Sequence, residues 1–412
     1  MRSSFKYALL AAVFGGLSFA GNAQAAGFYV QEISSSSAGA ANAGAAAMAR
    51  DASVIFHNPS AITHLDGAQV NGAVHMLFTH TELENQGSTI GGTASALAGF
   101  GDDGGNPGGM QPIPNLYGAM PVAFDDRLWV GVGVTAPFGL GPEYDDGFFG
   151  SFLVREAELR VIDVTPSVAF QVTDFLSLGA SAIVQSAELN YKFNTGLTTV
   201  TRVAADDIAT GYKVSATVTP TDALTIGAQY RSGTNLDFDG DIGINAASGS
   251  ASGTLNLPDI ATFGVAYDLD DRWTVMGGIE WFGWEKTDVA TIENSLTVDL
   301  PVLFQYENTL NFSIGTEYKH SEDWTFRAGY QFDETPTTGG ARSPLNPDGD
   351  RHWFSVGATN TANENWSFDY GITYIDIEDG NFNRTIATGT TVAGQAKDSY
   401  AVIGSLGVNY KF

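Results

Sequence analysis

The chain of 412 residues contains no cysteine. It folds without disulfide bonds, so a small disulfide-linked extracellular scaffold is excluded. Basic residues are also scarce, because 19 Lys and Arg stand against 46 Asp and Glu and give a formal net charge of −27. Nucleic acids bind basic surfaces, so a nucleic acid is not expected as a partner.

Long apolar runs are missing as well. One apolar run lies near the N-terminus, from Ala8 to Phe19, and no later segment reaches the roughly 20 consecutive apolar residues that a membrane helix needs. Arg2 and Lys6 precede this run, and Ala23-Gln24-Ala25 follows it as a small-x-small cleavage site. Residues 1–25 are therefore predicted to be a secretory signal peptide, and a helical inner-membrane protein is excluded.

Patterns typical of catalysis or metal binding are also missing. The six His residues do not have metal-ligand spacing, and no G-x-S-x-G nucleophile motif is present. We therefore expect no enzyme activity, no cofactor and no metal site. A lipid hydrolase built into a barrel wall stays open as an alternative of a different class.

A short turn pattern recurs six times. In each instance an acidic residue or Asn is followed within two positions by Leu or Trp; the instances begin at Asp126, Asp174, Asp222, Asp271, Asp323 and Asn365. They lie roughly 50 residues apart, which leaves room for two strands, one long loop and one short turn. Six short turns at one end of a barrel join seven hairpins. The pattern therefore predicts a 14-stranded antiparallel transmembrane β-barrel.

The C-terminal residues support a membrane barrel. From Ser399 to Phe412, large apolar residues alternate with small or polar ones. Tyr400 and Tyr410 would lie about 25 Å apart along the membrane normal, which matches two aromatic girdles. A soluble β-sandwich would also alternate, but it has no reason to carry aromatics at both rims. We therefore predict an all-β membrane protein whose barrel covers residues 68–412.

The segment before the barrel, residues 26–67, is rich in Ser, Ala and Gly from Ser34 to Ala49. It is too polar to span a membrane and too short to form a domain. A flexible linker has no use for apolar residues such as Ile33 and Ile62. We therefore predict that this segment is a plug inside the barrel lumen, called the hatch below, with a turn at Asn58-Pro59-Ser60.

The third strand is predicted to break at Pro137-Phe138-Gly139. Proline lacks the backbone donor of the ladder, and glycine permits a bend. Two interpretations stay open. The break either leaves a gap in the wall whose backbone groups the hatch or water satisfies, or it is a simple strand end that enters the loop from Pro142 to Gly150.

Several short segments carry a resemblance to a known family. They are Gly27-Phe28, Asp51-Ala52-Ser53 before Asn58-Pro59, Ala136-Pro137-Phe138-Gly139-Leu140, Leu257-Pro258-Asp259, and the run from Pro347 to Ser355. Together they resemble the FadL-type outer-membrane transporters of long-chain fatty acids and hydrocarbons. The resemblance covers the whole mature chain.

The resemblance implies a transport route through the barrel wall and a cellular location. In that family the turn of the hatch meets an inward kink of the third strand, which opens the wall sideways. Asn58-Pro59-Ser60, with Ser60 where the family usually has Ala, would be the gate, and Pro137-Phe138-Gly139 the lateral exit. The chain is then expected in the outer membrane of a Gram-negative bacterium, as a monomer in contact with outer-membrane lipid and lipopolysaccharide.

The expected function is passive uptake of hydrophobic small molecules, with long-chain fatty acids as the first ligand class. Neutral hydrocarbons or aromatic compounds are the alternative, and a structural or adhesive barrel is a further class. The candidate pocket residues are Phe28, Arg155, Phe282, Trp284, Glu307, Asn311 and Arg327.

Glu307 and Asn311 depart from the family, which commonly has Lys and Arg there. Alternation with Leu310 predicts that both face the lumen. A carboxylate at 307 would repel an anionic headgroup, so the ligand is expected to be neutral, protonated or held elsewhere, for instance by Arg155 or Arg327.

Overall fold

The computed structural model describes residues 27–386 and 388–412. The predicted signal peptide, residues 1–25, lies outside the described residues. Within the described residues, no helix is both long and apolar enough to cross a membrane.

Fourteen antiparallel strands form one closed barrel, which confirms the predicted fold class. The strands are β1 (Gln69–Asn85), β2 (Met110–Ala123), β3 (Leu128–Leu140), β4 (Glu156–Thr173), β5 (Leu176–Gly196), β6 (Thr199–Thr221), β7 (Leu224–Arg231, Asn235–Ile244), β8 (Ala247–Asn256, Ile260–Asp268), β9 (Trp273–Phe282, Val289–Asn294), β10 (Leu300–Leu303, Thr309–Lys319), β11 (Trp324–Asp333), β12 (Arg351–Thr361), β13 (Trp366–Ile377, Gly380–Thr385) and β14 (Thr391–Lys411). Five of the strands, β7, β8, β9, β10 and β13, consist of two segments each.

The barrel closes between its first and last strands. β1 pairs with β14 from Gln69 opposite Lys411 to Asn85 opposite Gly394. All six predicted turns join successive strands, from β2 and β3 through to β12 and β13. The repeat in the sequence therefore gave the correct number of hairpins.

Two outer hairpins have very short loops. β6 begins at Thr199 and pairs with β5 up to Gly196 opposite Thr199, and β8 begins at Ala247 after β7 ends at Ile244. Alternation continues through the first of these hairpins, with Thr201 and Val203 buried and Arg202 exposed. The barrel wall therefore extends outward to the tip of this hairpin.

Side-chain alternation separates the two faces of the wall. In β14, Ala401, Ile403 and Ser405 are buried toward the lumen, whereas Val402 and Leu406 are exposed. The inner residues are buried by other parts of the chain that fill the lumen. The polar residues among them need hydrogen-bond partners there.

The hatch fills the lumen with short helices and turns. It contains α1 (Ser35–Ala38), α2 (Val54–His57) and a 3-10 helix (Pro59–His64), and nearly all residues from Phe28 to Ile62 are buried. The Asn58 side chain caps the 3-10 helix by accepting a hydrogen bond from the backbone N–H of Ser60 at 3.1 Å.

Glycines on the inner face of the wall let the hatch backbone come close. A Cβ at Gly227 of β7 would overlap the carbonyl oxygen of Ala46, and one at Gly329 of β11 would overlap that of Ala40. Small residues in the hatch and in the wall are therefore matched to one another.

Gly227→Val is expected to prevent the hatch from seating while the barrel still folds. Forcing a side chain into a packed contact costs about 1–3 kcal/mol. Limited proteolysis of the purified protein should then cleave within the hatch, whereas heat-modifiable gel migration should still report a folded barrel. Gly404→Val in β14 is the matched control, because a Cβ there meets nothing within 4 Å. Equal protease resistance of the two variants would contradict the close approach.

Candidate functional site

The N-terminal segment, Phe28–Val30, pairs with the broken part of β3. The backbone N–H of Val30 donates to the carbonyl oxygen of Pro137 at 2.8 Å, and the N–H of Gly139 donates to that of Phe28 at 2.9 Å. Tyr29 and Phe138 face each other as an antiparallel bridge. The hatch thus supplies a short strand that satisfies backbone groups of the wall.

A β-bulge in β3 creates this arrangement. The pairing of β3 with β4 shifts between Thr135 and Phe138, and β3 continues to Leu140. On the other side, the ladder between β2 and β3 ends at Leu116 opposite Val134. The interpretation that β3 simply ends at the break is therefore wrong, because the strand continues past Pro137. The wall has a real interruption between β2 and β3.

Three cavities meet at the N-terminal segment. The apolar cavity, about 720 Å³, is lined by Phe28 and by wall residues such as Leu159, Leu189, Phe238, Ile292 and Phe304. The polar cavity, about 400 Å³, is lined by Tyr29 with His57, Glu280, Asn311 and Gln331. The wall cavity, about 650 Å³, is lined by Val30 with Pro112, Pro114, Ala136 and Phe138. Three consecutive residues therefore border three different spaces.

Aromatic rings form the partition between these cavities. The ring of Phe28 lies 4.9 Å from that of Trp284 and 6.2 Å from that of Phe138. Tyr29 packs on Phe282 at 4.9 Å. The structure thus brings the predicted residues Phe28, Phe282 and Trp284 together. Of these three, Phe28 lines the apolar cavity.

The start of the N-terminal segment is bound to a buried carboxylate. The backbone N–H of Gly27 donates to Asp348 Oδ2 at 3.1 Å. Arg351 Nη2 lies 2.6 Å from the other oxygen, Asp348 Oδ1. Asp348 lies in the Pro347 to Ser355 run of the sequence, but its contact with the hatch was not foreseen.

The side chain of Asn58 and the backbone of Ser60 in the hatch turn are hydrogen-bonded to the hatch itself and to β6. Asn58 Nδ2 donates to the carbonyl oxygen of Ala46 at 2.6 Å and to Thr217 Oγ1 of β6 at 2.8 Å. The backbone N–H of Ser60 donates to Ser215 Oγ of β6 at 2.9 Å. The predicted packing of Asn58-Pro59 against the kink stays a prediction, and the backbone hydrogen bonds to that edge of β3 come from the N-terminal segment.

The predicted charged pocket residues do not line the apolar cavity. Glu307 is exposed and precedes the strand segment that begins at Thr309, so the alternation used to place it in the lumen does not reach position 307. Arg155 forms an ion pair with Asp146. Asn311 is buried and lines the polar cavity instead.

Arg327 belongs to an ionic network that joins the hatch to the wall. Glu317 Oε2 of β10 accepts from Arg50 Nε of the hatch at 2.8 Å and from Arg327 Nε of β11 at 2.7 Å. Arg327 Nη1 also lies 3.7 Å from Asp369 Oδ1 of β13. One carboxylate thus bridges two guanidinium groups, which makes it an anchor for the hatch.

Burial disfavours the charged forms of two titratable side chains in the hatch. It raises the pKa of the Glu32 carboxyl to about 7, because desolvation disfavours the carboxylate. It also lowers the pKa of His57 to about 3, so this imidazole, which borders the polar cavity, is neutral at neutral pH. Near His57 the polar cavity therefore offers hydrogen-bonding groups rather than a cation.

Arg384 of β13 is a cation beside the apolar cavity that the sequence did not reveal. Its Nη1 donates to Gln305 Oε1 at 2.8 Å, and its Nη2 donates to the carbonyl oxygens of Leu303 at 2.6 Å and Ala341 at 3.1 Å. Leu303 lies between two cavity-lining residues. All three bonds go to uncharged oxygens, so these partners leave the positive charge of the guanidinium uncompensated. No local motif marks it.

Comparisons with known proteins agree with this architecture. The family model described as outer membrane protein transport protein (OMPP1/FadL/TodX) matches residues 16–412. The chain is 28% identical to outer membrane protein P1 of Haemophilus influenzae, over 99% of this chain and 99% of that one. It is 26% identical to the long-chain fatty acid transport protein of Escherichia coli K12, over 86% and 88%.

Two solved structures share the fold. A FadL homologue from Pseudomonas aeruginosa superposes with a TM-score of 0.87 at 23% identity, covering 95% of this chain and 100% of that one. The toluene transporter TbuX of Ralstonia pickettii superposes with a TM-score of 0.69 at 18% identity, covering 93% and 98%. At these identities the structures support the barrel architecture and no more.

Proposed function

The chain belongs to the outer membrane protein transport protein family (OMPP1/FadL/TodX), and on that premise we propose that it binds hydrophobic small molecules in the apolar cavity and releases them sideways through the wall cavity. The family consists of outer-membrane transporters and channels of hydrophobic compounds. The observation that carries the proposal is the meeting of these two cavities at the N-terminal segment. We further propose that the protein acts as a monomer surrounded by outer-membrane lipid and lipopolysaccharide.

The apolar cavity suits the hydrocarbon part of a ligand. Its lining is dominated by aliphatic and aromatic side chains from β3 to β10 and from the hatch. Each buried methylene group contributes about 0.8 kcal/mol, so a long chain is held tightly. Release therefore requires a change in the partition rather than simple dissociation.

The N-terminal segment is the proposed gate. Phe28 borders the apolar cavity and Val30 borders the wall cavity. Displacement of this segment would break two backbone hydrogen bonds to Pro137 and Gly139 and would join the two spaces. The hatch turn, Asn58-Pro59-Ser60, is assigned to holding the hatch against β6 during this movement.

Long-chain fatty acids are the first candidate ligands. The tail would lie in the apolar cavity, and Arg384 would meet the carboxylate at its edge through charge-assisted hydrogen bonds. The relative from Escherichia coli, named a long-chain fatty acid transport protein, favours this class.

Neutral hydrocarbons are the second candidate. Among the described residues, no charged residue lines the apolar cavity, so a molecule without a headgroup fits it equally well. Glu307, which is exposed, does not decide between the two.

Arg384→Gln separates the two candidates. Loss of a charge-assisted hydrogen bond should weaken binding of oleate to the purified protein by about tenfold or more, and should leave binding of hexadecane unchanged. Arg202→Gln is the matched control, because Arg202 is an exposed cation on β6. If neither ligand loses affinity, neutral hydrocarbons become the favoured class. If both lose it equally, Arg384 shapes the cavity and does not bind a carboxylate.

A further inference from the structure

The interruption in the wall leaves one edge of β2 without a strand partner. β2 pairs with β1 along Met110 to Ala119, but its pairing with β3 starts only at Leu116 opposite Val134. The outer part of β2, residues 110–115, therefore has one paired edge and one edge that faces the wall cavity. Pro112 and Pro114 line that cavity.

The hydrogen-bond pattern shows which residues point into the interruption. In an antiparallel ladder, each residue directs both backbone groups to one side, and successive residues alternate. The N–H of Thr79 of β1 donates to the carbonyl oxygen of Gly109 at 3.0 Å. Odd-numbered residues of this part of β2 therefore bond to β1. Positions 112 and 114 direct their backbone groups toward β3.

Both of these positions are proline, which has no backbone N–H. Across the interruption, β3 directs positions 137 and 139 to the same space. Pro137 also lacks an N–H, and the N–H of Gly139 donates to Phe28. Three of these four positions thus carry no donor, and the fourth is satisfied by the hatch. Met110, the next such position on β2, is exposed at the outer end of the strand.

We propose that Pro112 and Pro114 are positioning residues that keep the lateral exit open. An unpaired donor that faces lipid costs free energy, so a strand edge with N–H groups at these positions would compete with the N-terminal segment for the edge of β3 and close the wall. Proline removes the donors and with them the driving force for closure. Carbonyl groups left on this edge are tolerated more easily than unpaired donors. This inference rests on the proposed release route.

The test is the double variant Pro112→Ala/Pro114→Ala, together with the two single variants. We expect the ladder between β2 and β3 to extend outward, so that the new amides at positions 112 and 114 exchange as slowly in lipid nanodiscs as the amides at 111 and 113, which are bonded to β1. Uptake of radiolabelled oleate or hexadecane by cells should fall about tenfold, which corresponds to roughly one or two hydrogen bonds favouring the closed wall. Ligand binding in detergent should be unchanged, because the apolar cavity is not altered.

Pro166→Ala is the matched control, because Pro166 is an exposed proline of β4 that faces a paired residue, Val132. It should change neither the exchange at 110–115 nor uptake. Fast exchange of the amides at 112 and 114, at the rate of unpaired backbone, would overturn the proposal. Slow exchange with normal uptake would support the role of the prolines and refute the lateral release route of the proposed function. The two failures are therefore distinguishable.

Discussion

Oxidation of a Tyr29→Cys/Phe138→Cys variant is expected to reduce uptake to the level of cells that lack the protein. The two residues face each other as an antiparallel bridge whose flanking residues carry the hydrogen bonds. Their Cα atoms should therefore lie about 4.5 Å apart, which is within the range that a disulfide spans. The bond would lock the N-terminal segment onto β3. Because the chain contains no cysteine, no other disulfide can form within it.

Comparison of the oxidised and reduced states of the same variant isolates the effect of the bond. Reduction should restore uptake to the level of the unlinked variant, and the oxidised protein should still migrate as a folded barrel. Val130→Cys/Val168→Cys is the control, since it links two strands of the wall that are already paired. Normal uptake by the oxidised 29–138 variant would show that the segment does not move during transport.

Glu317→Gln is expected to release the hatch from the wall and to make the barrel conduct ions. The carboxylate is shared by Arg50 and Arg327, whose side chains are only 8% and 5% exposed. Removing one partner of a buried ion pair costs about 3–5 kcal/mol, because the remaining charges stay buried and uncompensated. The population of barrels with an undocked hatch should rise on the order of a hundredfold or more.

Single-channel recording in planar bilayers measures this effect directly. Open events should be frequent for Glu317→Gln and rare for the wild type, and Arg50→Gln should behave in the same direction. Glu322→Gln is the matched control, because Glu322 is an exposed carboxylate of the adjacent turn. If Glu317→Gln conducts no more often than the control, the network does not hold the hatch.

The sequence predicted the barrel well because its signals are local. The recurring turn pattern marked the ends of strands, and alternation marked their two faces. Each signal depends on neighbours within a few residues. Phe282 and Trp284 were named as candidate pocket residues, but their packing against the hatch residues Tyr29 and Phe28 is known only from the structure.

Predictions from local sequence patterns were less reliable where the backbone leaves the regular strand pairing. Glu307 was placed by alternation with Leu310, but the residues before Thr309 are not in the strand. Asn58-Pro59 was expected beside the kink because the two motifs are linked in the resembling family. In the structure, Phe28–Val30 forms the backbone hydrogen bonds to Pro137 and Gly139 at the kink, and the resemblance did not show this pairing.

The sequence by itself determined an exported, cysteine-free, 14-stranded barrel with a hatch, because strand periodicity, turn chemistry and composition are properties of short segments. Tertiary structure alone decided how the hatch meets the wall, with Gly139 bonded to Phe28 and Glu317 shared by two arginines. It also decided that Arg384 lies beside the apolar cavity. These contacts join residues that are far apart in the chain. Their geometry follows from barrel closure and the bulge in β3, which bring distant backbone and charged groups together.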